Sequence, residues 1–356
     1  MRIGVLLPTR SLVMVDARRP RTDVTMAMVE HAEAEGYDHV WVGDSIVAKP
    51  RHEPLITLAF AAGRTRWLRL GTAVLLPALR HPVVLANELA TLDHLSQGRL
   101  VLGVAPGWGI PSAAAEMAAV GARVRERGRR LEEHLEVWRE LWSGRPITQR
   151  GSDFELAGHT VGPLPWTEHG PEVWVTAGNR GEFLDRAFAR FARHGDGIIS
   201  TDVGAEECVE IRRRGQLALE AAGRQLPDFP IGVYVTVRLD PDPAAARRRY
   251  AEFMAAYYGP QAAQQRGTAA IGTAQEVVAA LAPLGAAGVT DLIVRFAGDD
   301  QLEQLEAFTR VIKPHLSGDI EKGPAGSPAP SIGVGEEYLL RSGQLQPVVA
   351  PQFMHL

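Results

Sequence analysis

The chain has 356 residues, of which 46% are apolar and 22% charged, an ordinary composition for a globular protein. Its formal net charge of −4 argues against a nucleic-acid partner, and its single cysteine, Cys208, excludes an internal disulfide and a zinc site of Cys/His spacing. The N-terminus lacks the pattern of a signal peptide, and no apolar run approaches the roughly 18 residues of a membrane span. We therefore expect a cytoplasmic protein without a membrane partner.

The first half of the chain predicts four strand–helix units, because short runs rich in Val, Ile and Leu alternate with segments of helical periodicity. Asp23 is a candidate N-cap for the first helix, Gly36 its stop, and Pro82 opens the third. The predicted strands are residues 2–7, 38–42, 68–76 and 100–105. The predicted helices are residues 24–36, 54–64, a segment from Pro82 to Gly98, and a long helix with Leu131, Leu135, Trp138 and Trp142 on one face.

The second half begins with a break in this rhythm, since residues 147–164 carry turn residues and predict an inserted hairpin or loop. Four further units follow. Their predicted strands are residues 172–176, 197–200, 231–239 and 290–296. Their predicted helices are residues 183–193, 206–222, 243–258 and 274–284, and a last helix with Leu302, Leu305, Phe308 and Ile312 on one face.

Eight alternating units predict a parallel sheet, and this number favours a closed (β/α)₈ TIM barrel over an open doubly wound sheet. We expect insertions after the fourth and seventh barrel strands. Residues 1–316 are predicted to form the barrel and residues 317–356 a C-terminal extension, which starts rich in Gly, Pro and Ser and predicts a mobile tail.

Function in such barrels collects in the loops after the strands, and the glycine-rich loop after the fifth strand is the strongest candidate. It consists of Ala177, Gly178, Asn179, Arg180 and Gly181. Glycines let a backbone approach an anion, a helix start offers free N–H groups, and Arg180 adds a charge. We interpret the loop as a phosphate cradle, with an ordinary strand-to-helix turn as the alternative.

Two further rim segments are candidates. Pro106, Gly107 and Trp108 follow strand four without the spacing of a dinucleotide fingerprint, and Trp108 is either a stacking wall for a flat ring or a packing residue. Asp44 follows strand two and either accepts a hydrogen bond from a ligand or caps the following segment. No hydrolase elbow, metal motif or carboxylate pair is present in the sequence, so a cofactor is expected to carry the chemistry.

At this point the sequence resembles the luciferase-like monooxygenase family, especially its branch that uses the deazaflavin coenzyme F-420. The resemblance runs in order over roughly residues 1–315 and rests on WVGDS, LRLGTAVLLPALRHP, ATLDHLSQGRLVLGVAPGW, RGRRLEEHLEVWRELWSG, VWVTAGNRG and RHGDGI. It implies a barrel oxidoreductase that moves a hydride between reduced F-420 and a small organic substrate.

The resemblance also implies roles for individual residues. Asp44 would contact the ring system, Ala73, Val74 and Leu76 would line its back face, and Pro106, Gly107 and Trp108 would flank it. Residues 177–181 would hold the phosphate. A cis peptide bond between Ala73 and Val74 is expected, because strand three of this family often bulges against the ring through such a bond.

Two positions depart from the family's pattern. Relatives that act on sugars often carry a histidine after the strand-two aspartate and a glutamate in the strand-four loop, where this chain has Ser45 and Trp108. This weakens the interpretation as a sugar-phosphate dehydrogenase and leaves the proton donor unassigned, with Ser45 and Arg295 as weak candidates for a catalytic role.

Alternative functions stay open on the sequence. One is a two-component monooxygenase that uses reduced FMN and oxygen, and a second is a non-catalytic cofactor-binding barrel. A phosphate-ester enzyme is disfavoured by the lack of catalytic carboxylates and metal ligands. Expected partners are the substrate, a reductase that supplies reduced cofactor and a second copy of the chain.

Overall fold

A computed structural model describes residues 1–259 and 269–316. Eight parallel strands form a closed barrel, since the first pairs with both the second and the last, and every other neighbour in the ring is paired as well. The fold prediction is therefore confirmed. Numbered in chain order with the insertions, the barrel strands are β1 Arg2–Leu6, β2 His39–Val42, β3 Arg69–Leu75, β4 Leu100–Val104, β7 Glu172–Thr176, β8 Gly197–Thr201, β9 Ile231–Leu239 and β11 Asp291–Phe296.

Helices surround the barrel at nearly the predicted positions. They are α1 Ser11–Val15, α2 Thr22–Ala34, α3 Pro54–Ala62, α4 Pro82–Ser96, α5 Pro111–Ala119, α6 Arg127–Trp142, α7 Asp185–His194, α8 Ala205–Ala221, α9 Pro243–Tyr258, α10 Ala274–Ala286, α11 Gln301–Val311 and α12 Lys313–Leu316. No helix in the described ranges is long and apolar enough to cross a bilayer.

The ends of the first crossover helix differ in part from the prediction. Asp23 is not the N-cap, because α2 begins at Thr22 and Arg21 occupies the cap position. Asp23 instead lies in the first turn, where its negative charge interacts favourably with the helix dipole, and it binds Arg21 at 2.7 Å. Gly36 lies just beyond the helix with φ +67°, the left-handed conformation expected of a glycine after a helix end.

Both expected insertions are present. After α6, strands β5 Ile147–Arg150 and β6 Glu155–His159 form an antiparallel hairpin. After β9, helix α9 leads by way of residues outside the described ranges to β10 Ala269–Gly272, which pairs with the last four residues of β9. Strand β10 and helices α1, α5 and α12 were not predicted from the sequence, since segments of four or five residues and an alanine-rich stretch of nine carry little periodicity.

Two tryptophans fill the barrel interior below its mouth. Trp41 on β2 and Trp174 on β7 are both fully buried, with ring centroids 5.5 Å apart. The strand positions that face them are glycines, because a Cβ there would collide with an indole ring. Gly4 and Gly71 face Trp41, and Gly197 and Gly232 face Trp174. The barrel interior is thus a packed core at the level of these two indole rings.

The predicted C-terminal extension, residues 317–356, lies outside the described residues. Its boundary and its mobility therefore stay predictions.

Candidate functional site at the mouth of the barrel

The predicted site residues meet at one end of the barrel. Asp44 follows β2, Val74 lies near the end of β3, Trp108 follows β4, Gly178 follows β7, and Arg295 is the penultimate residue of β11. Because all eight strands are parallel, these carboxyl-terminal ends lie on the same rim.

Asp44 is bound by protein groups. Its side chain is fully buried, and its carboxylate accepts hydrogen bonds from Arg80 Nη1 at 2.6 Å and Nη2 at 3.1 Å. The backbone N–H of Leu76 donates to it at 2.9 Å. Arg80 also binds Glu53 at 2.8 Å. Asp44 therefore fixes the chain after β3, and its predicted contact with a ring system stays a prediction.

The end of β3 has the irregular shape that the resemblance implies. The peptide bond between Ala73 and Val74 is cis, and the register with β4 shifts between Thr72 and Leu75. Thr72 Oγ1 donates to the carbonyl oxygen of Gly103 at 2.8 Å, which ties the bulge to β4. Ala73 and Val74 are half-buried and pack on the interior cluster that contains both tryptophans.

Ser45 belongs to a loop that is held by Glu116 of α5. The Ser45 hydroxyl donates to Glu116 Oε1 at 2.7 Å, and the backbone N–H groups of Ile46, Val47 and Ala48 donate to the same oxygen at 2.6–3.1 Å. Burial opposes ionisation of Glu116, but these four hydrogen bonds outweigh it and lower the pKa of the carboxyl. The proton of Ser45 is thus directed at Glu116, and its role in proton transfer stays a prediction.

The loop after β7 forms a concave set of backbone amides. Gly178 (φ +70°) and Arg180 (φ +55°) adopt left-handed conformations on either side of Asn179, which has a right-handed helical conformation. The N–H groups of these three residues donate to no acceptor in the described part of the chain. Alternating conformations with successive free amides form an anion-binding nest. A Cβ at Gly178 would lie 2.5 Å from Ile211 Cγ1, so this position requires glycine on two grounds.

This nest differs in one respect from the predicted cradle. Helix α7 begins at Asp185, beyond Gly181, so the free amides belong to the loop and not to the start of the crossover helix. Asn179 Oδ1 accepts from the N–H of Thr201 at 3.1 Å, which fixes the loop to the end of β8. Ala177 is buried, and its N–H donates to the carbonyl oxygen of Ile199.

The side chain of Arg180 lies between two other rim groups. Its Nε is 3.2 Å from Asp202 Oδ2, and its guanidinium carbon lies 4.8 Å from the centroid of the Trp108 ring. Trp108 is 46% exposed, so it is not a core residue. Gly107 has φ +81°, and its carbonyl oxygen accepts from Arg127 Nε at 3.1 Å, which holds the loop after Pro106. Trp108, in the loop after β4, therefore contacts Arg180 in the neighbouring loop after β7.

Arg295 is buried at the opposite side of the mouth. Its guanidinium donates to Thr236 Oγ1 at 2.7 Å and to the Tyr258 hydroxyl at 2.7 Å, and it contacts the sulfur of Met254 at 3.4 Å. Four aromatic rings lie within 5.4 Å of it, namely those of Tyr234, Phe253, Tyr257 and Tyr258. The guanidinium is thus a fixed positive charge at the rim.

Three functional groups of this site were missed by the sequence analysis. Arg80 and Glu116 hold rim loops through contacts 36 and 71 residues away along the chain, and such pairings leave no local pattern. Tyr258 was predicted only as the last residue of a helix. The described residues include no group of three or more His, Cys, Asp or Glu side chains that could hold a metal ion.

Comparison with known proteins finds one matching family and several named relatives. The family model described as luciferase-like monooxygenase matches residues 1–301. A curated relative from Kineococcus radiotolerans, named F-420-dependent glucose-6-phosphate dehydrogenase, is 33% identical over 60% of this chain, and the match spans 64% of the relative's length. A Rhodococcus jostii relative, named F-420-dependent glucose-6-phosphate dehydrogenase 1, is 29% identical over 84% of this chain and 95% of its own length.

Solved structures share the fold at lower identity. An F-420-dependent secondary alcohol dehydrogenase in complex with an F-420–acetone adduct superimposes with a TM-score of 0.74 at 17% identity, covering 89% of this chain and 99% of its own. The oxygenating constituent of a Pseudomonas putida diketocamphane monooxygenase, in complex with FMN, gives a TM-score of 0.70 at 18% identity with the same coverage. At such identities the likeness shows the fold alone.

Proposed function

Because this chain belongs to the luciferase-like monooxygenase family, we propose that it is an oxidoreductase that transfers a hydride from reduced coenzyme F-420 to a small organic substrate. The observation that carries this proposal is the relative matched over 95% of its own length, which is named as F-420-dependent. The nest after β7 supports it, since the phosphate of such a cofactor would accept hydrogen bonds from three amides that have no acceptor in the described part of the chain.

Each rim segment has a part in this proposal. The amides of Gly178, Asn179 and Arg180 would bind the cofactor phosphate, with Ala177 and Gly181 framing them. Ala73, Val74 and Leu76 would support one face of the ring, and Asp44 would keep that support in place through the N–H of Leu76. Pro106, Gly107 and Trp108 would close the site from the side of β4. When bound, the deazaflavin supplies the hydride.

The second candidate is a two-component monooxygenase that uses reduced FMN. The FMN complex of similar fold favours it, and the nest would accept the phosphate of either cofactor. Under either candidate function, we propose that the protein is cytoplasmic, forms a homodimer and receives its reduced cofactor from a separate reductase. The single cysteine agrees with a reducing compartment. The barrel would end at residue 316 and the extension would follow.

The decisive experiment titrates the purified protein with F-420 and with FMN in separate equilibrium binding measurements. We expect F-420 to bind more tightly than FMN. Tight binding of FMN alone would instead establish the monooxygenase, and failure of both cofactors to bind would refute the proposed function.

A matched pair of variants tests the nest. Gly178→Ala places a methyl group against Ile211 in a loop of positive φ, so we expect it to weaken cofactor binding at least tenfold. Gly121→Ala is the control, because Gly121 has φ +74° but no atom within 4 Å of the added methyl group. It is expected to cost about 1 kcal/mol of stability and to leave the affinity unchanged. Equal losses of affinity in both variants would show that the nest is not the phosphate site.

A further inference from the structure

Among the residues that the structure describes, the proton of the Tyr258 hydroxyl has no hydrogen-bond acceptor. Tyr258 is the last residue of α9, and its oxygen accepts a hydrogen bond from Arg295 Nη1 at 2.7 Å. Arginine is a donor only, so it cannot receive the proton of the phenol. No other hydrogen bond of this hydroxyl is found in residues 1–259 and 269–316. The side chain is 40% exposed at the mouth, so a bound molecule can reach it.

Positive charge surrounds this phenol. Lys49 Nζ lies 4.4 Å from the centroid of the Tyr258 ring, and the guanidinium carbon of Arg10 lies 5.9 Å from it. The positive charge of Arg51 also lowers the pKa of Tyr258. The Arg51 guanidinium lies against Gly43, and a Cβ added at Gly43 would be 3.6 Å from the carbonyl oxygen of Ala73. The loop after β2 therefore lies near the phenol through Lys49 and reaches the end of β3 through Arg51.

Within the described ranges, no ion pair joins any of these four cations to a carboxylate. The cations are Arg10, Lys49, Arg51 and Arg295. The sequence PQAAQQRGT that follows Gly259 contains no acidic residue either. Several titratable groups lie near Tyr258 and interact with it electrostatically or through its ring. They are Arg295 on β11, Lys49 and Arg51 after β2, Arg10 after β1, Tyr234 on β9, and Tyr250 and Tyr257 on α9.

We propose that Tyr258, oriented by Arg295, is the catalytic acid that delivers a proton to the substrate. The inference rests on the proposed function, and it assigns the proton donor that the sequence left open. A reduced deazaflavin bound in the site would supply the hydride. With a ketone, a C–H bond would form at the carbonyl carbon as the C=O π bond breaks; with an enone, it would form at the β carbon as the C=C π bond breaks and its electron pair moves to the oxygen. In both cases the oxygen would take the Tyr258 proton, and the phenolate would regain a proton from solvent, to which oxidation of the cofactor returns one.

The same charges select the substrate class. Negative charge that develops on a carbonyl or enone oxygen is stabilised by the neighbouring cations, whereas a positively charged iminium group is repelled by them. Partial desolvation of the half-exposed phenol would by itself raise the pKa of Tyr258, but Arg295, Lys49 and Arg51 outweigh this effect and lower the pKa. A phenol with a lowered pKa is a better acid near neutral pH. The substrates are therefore ketones or enones.

The first test needs no cofactor. Tyrosinate formation is followed by ultraviolet difference absorbance in the cofactor-free protein, for wild type, Tyr258→Phe and the neighbouring control Tyr257→Phe. We expect one tyrosine of the wild type and of the control to ionise below the ordinary value of 10.0, and this ionisation to vanish in Tyr258→Phe. A titration curve unchanged by Tyr258→Phe would overturn the proposal.

The second test measures steady-state reduction of cyclohexenone and cyclohexanone with reduced F-420. We expect kcat to fall roughly 10²- to 10⁴-fold in Tyr258→Phe, the F-420 affinity to stay unchanged, and Tyr257→Phe to keep most activity. Wild-type kcat should decline as pH rises through the pKa of Tyr258, and the variant should lack this decline.

The outcomes separate the two proposals. Unchanged kcat in Tyr258→Phe would refute the acid and leave the proposed function intact. Turnover of neither probe by wild type that binds F-420 would refute the substrate class. Lack of F-420 binding would refute the proposed function, while the tyrosinate titration would still decide whether Tyr258 is the acidic phenol.

Discussion

Asp44 is a rim carboxylate whose hydrogen bonds are already used by the protein. Its side chain is completely buried, and a single cation, Arg80, faces both of its oxygens. A buried carboxylate is tolerated only with such a partner, since removal of the partner leaves an uncompensated charge. Asp44 and Arg80 are therefore expected to contribute to stability as a pair.

The variant Arg80→Met tests this pair. We expect it to lower the free energy of unfolding by about 3 kcal/mol or more, because Asp44 would stay buried without a cation. Arg69→Met is the control, since the Arg69–Glu172 pair is partly exposed and should contribute less than about 1 kcal/mol. Denaturant titration measures both, and equal losses would contradict the special role of Asp44.

At the scale of elements, α5 and the loop after β2 form one unit. Glu116 projects from α5 and accepts four hydrogen bonds from residues 45–48, so one carboxylate sets the course of a whole rim segment. The ionised form binds these donors best, because a carboxylate accepts stronger hydrogen bonds than a neutral acid.

This contact predicts a pH dependence. The folded-state pKa of Glu116 is lower than its ordinary value of 4.5, so its contribution is fully present above that pH and is lost as the pH falls through the folded-state pKa. Glu116→Gln should cost about 1–3 kcal/mol at neutral pH and show a smaller loss of stability on acidification. Urea unfolding at several pH values checks this, and parallel pH profiles of variant and wild type would contradict it.

At the scale of the whole molecule, the two interior tryptophans fill the space that the barrel strands enclose. Trp174→Ala should cost about 3–5 kcal/mol, because facing glycines leave no side chain to fill the cavity. Trp67→Ala is the control, since Trp67 is 62% exposed and its loss should change stability by about 0.5 kcal/mol or less. Thermal or denaturant unfolding measures the difference, and a mild effect at Trp174 would show that the interior can repack.

The fold was predictable from the sequence because it depends on local periodicity. Runs such as residues 231–239 and helices opened by Pro82 or Pro243 carry their own pattern, and eight repeats of it favour a closed parallel sheet. Elements without such a pattern, α5 and β10, were missed. Their short, alanine-rich sequences take their structure from the surfaces on which they pack.

The sequence by itself determined the barrel, the rim segments and the glycine-rich loop after the fifth barrel strand, since these follow from the order of residues along the chain. Only the tertiary structure decided which rim groups are already paired and which are free. It pairs Asp44 with Arg80 and Ser45 with Glu116, and within the described ranges it offers no acceptor to the proton of Tyr258. The reason is physical: hydrogen-bond partners distant in sequence are brought together only when the barrel closes.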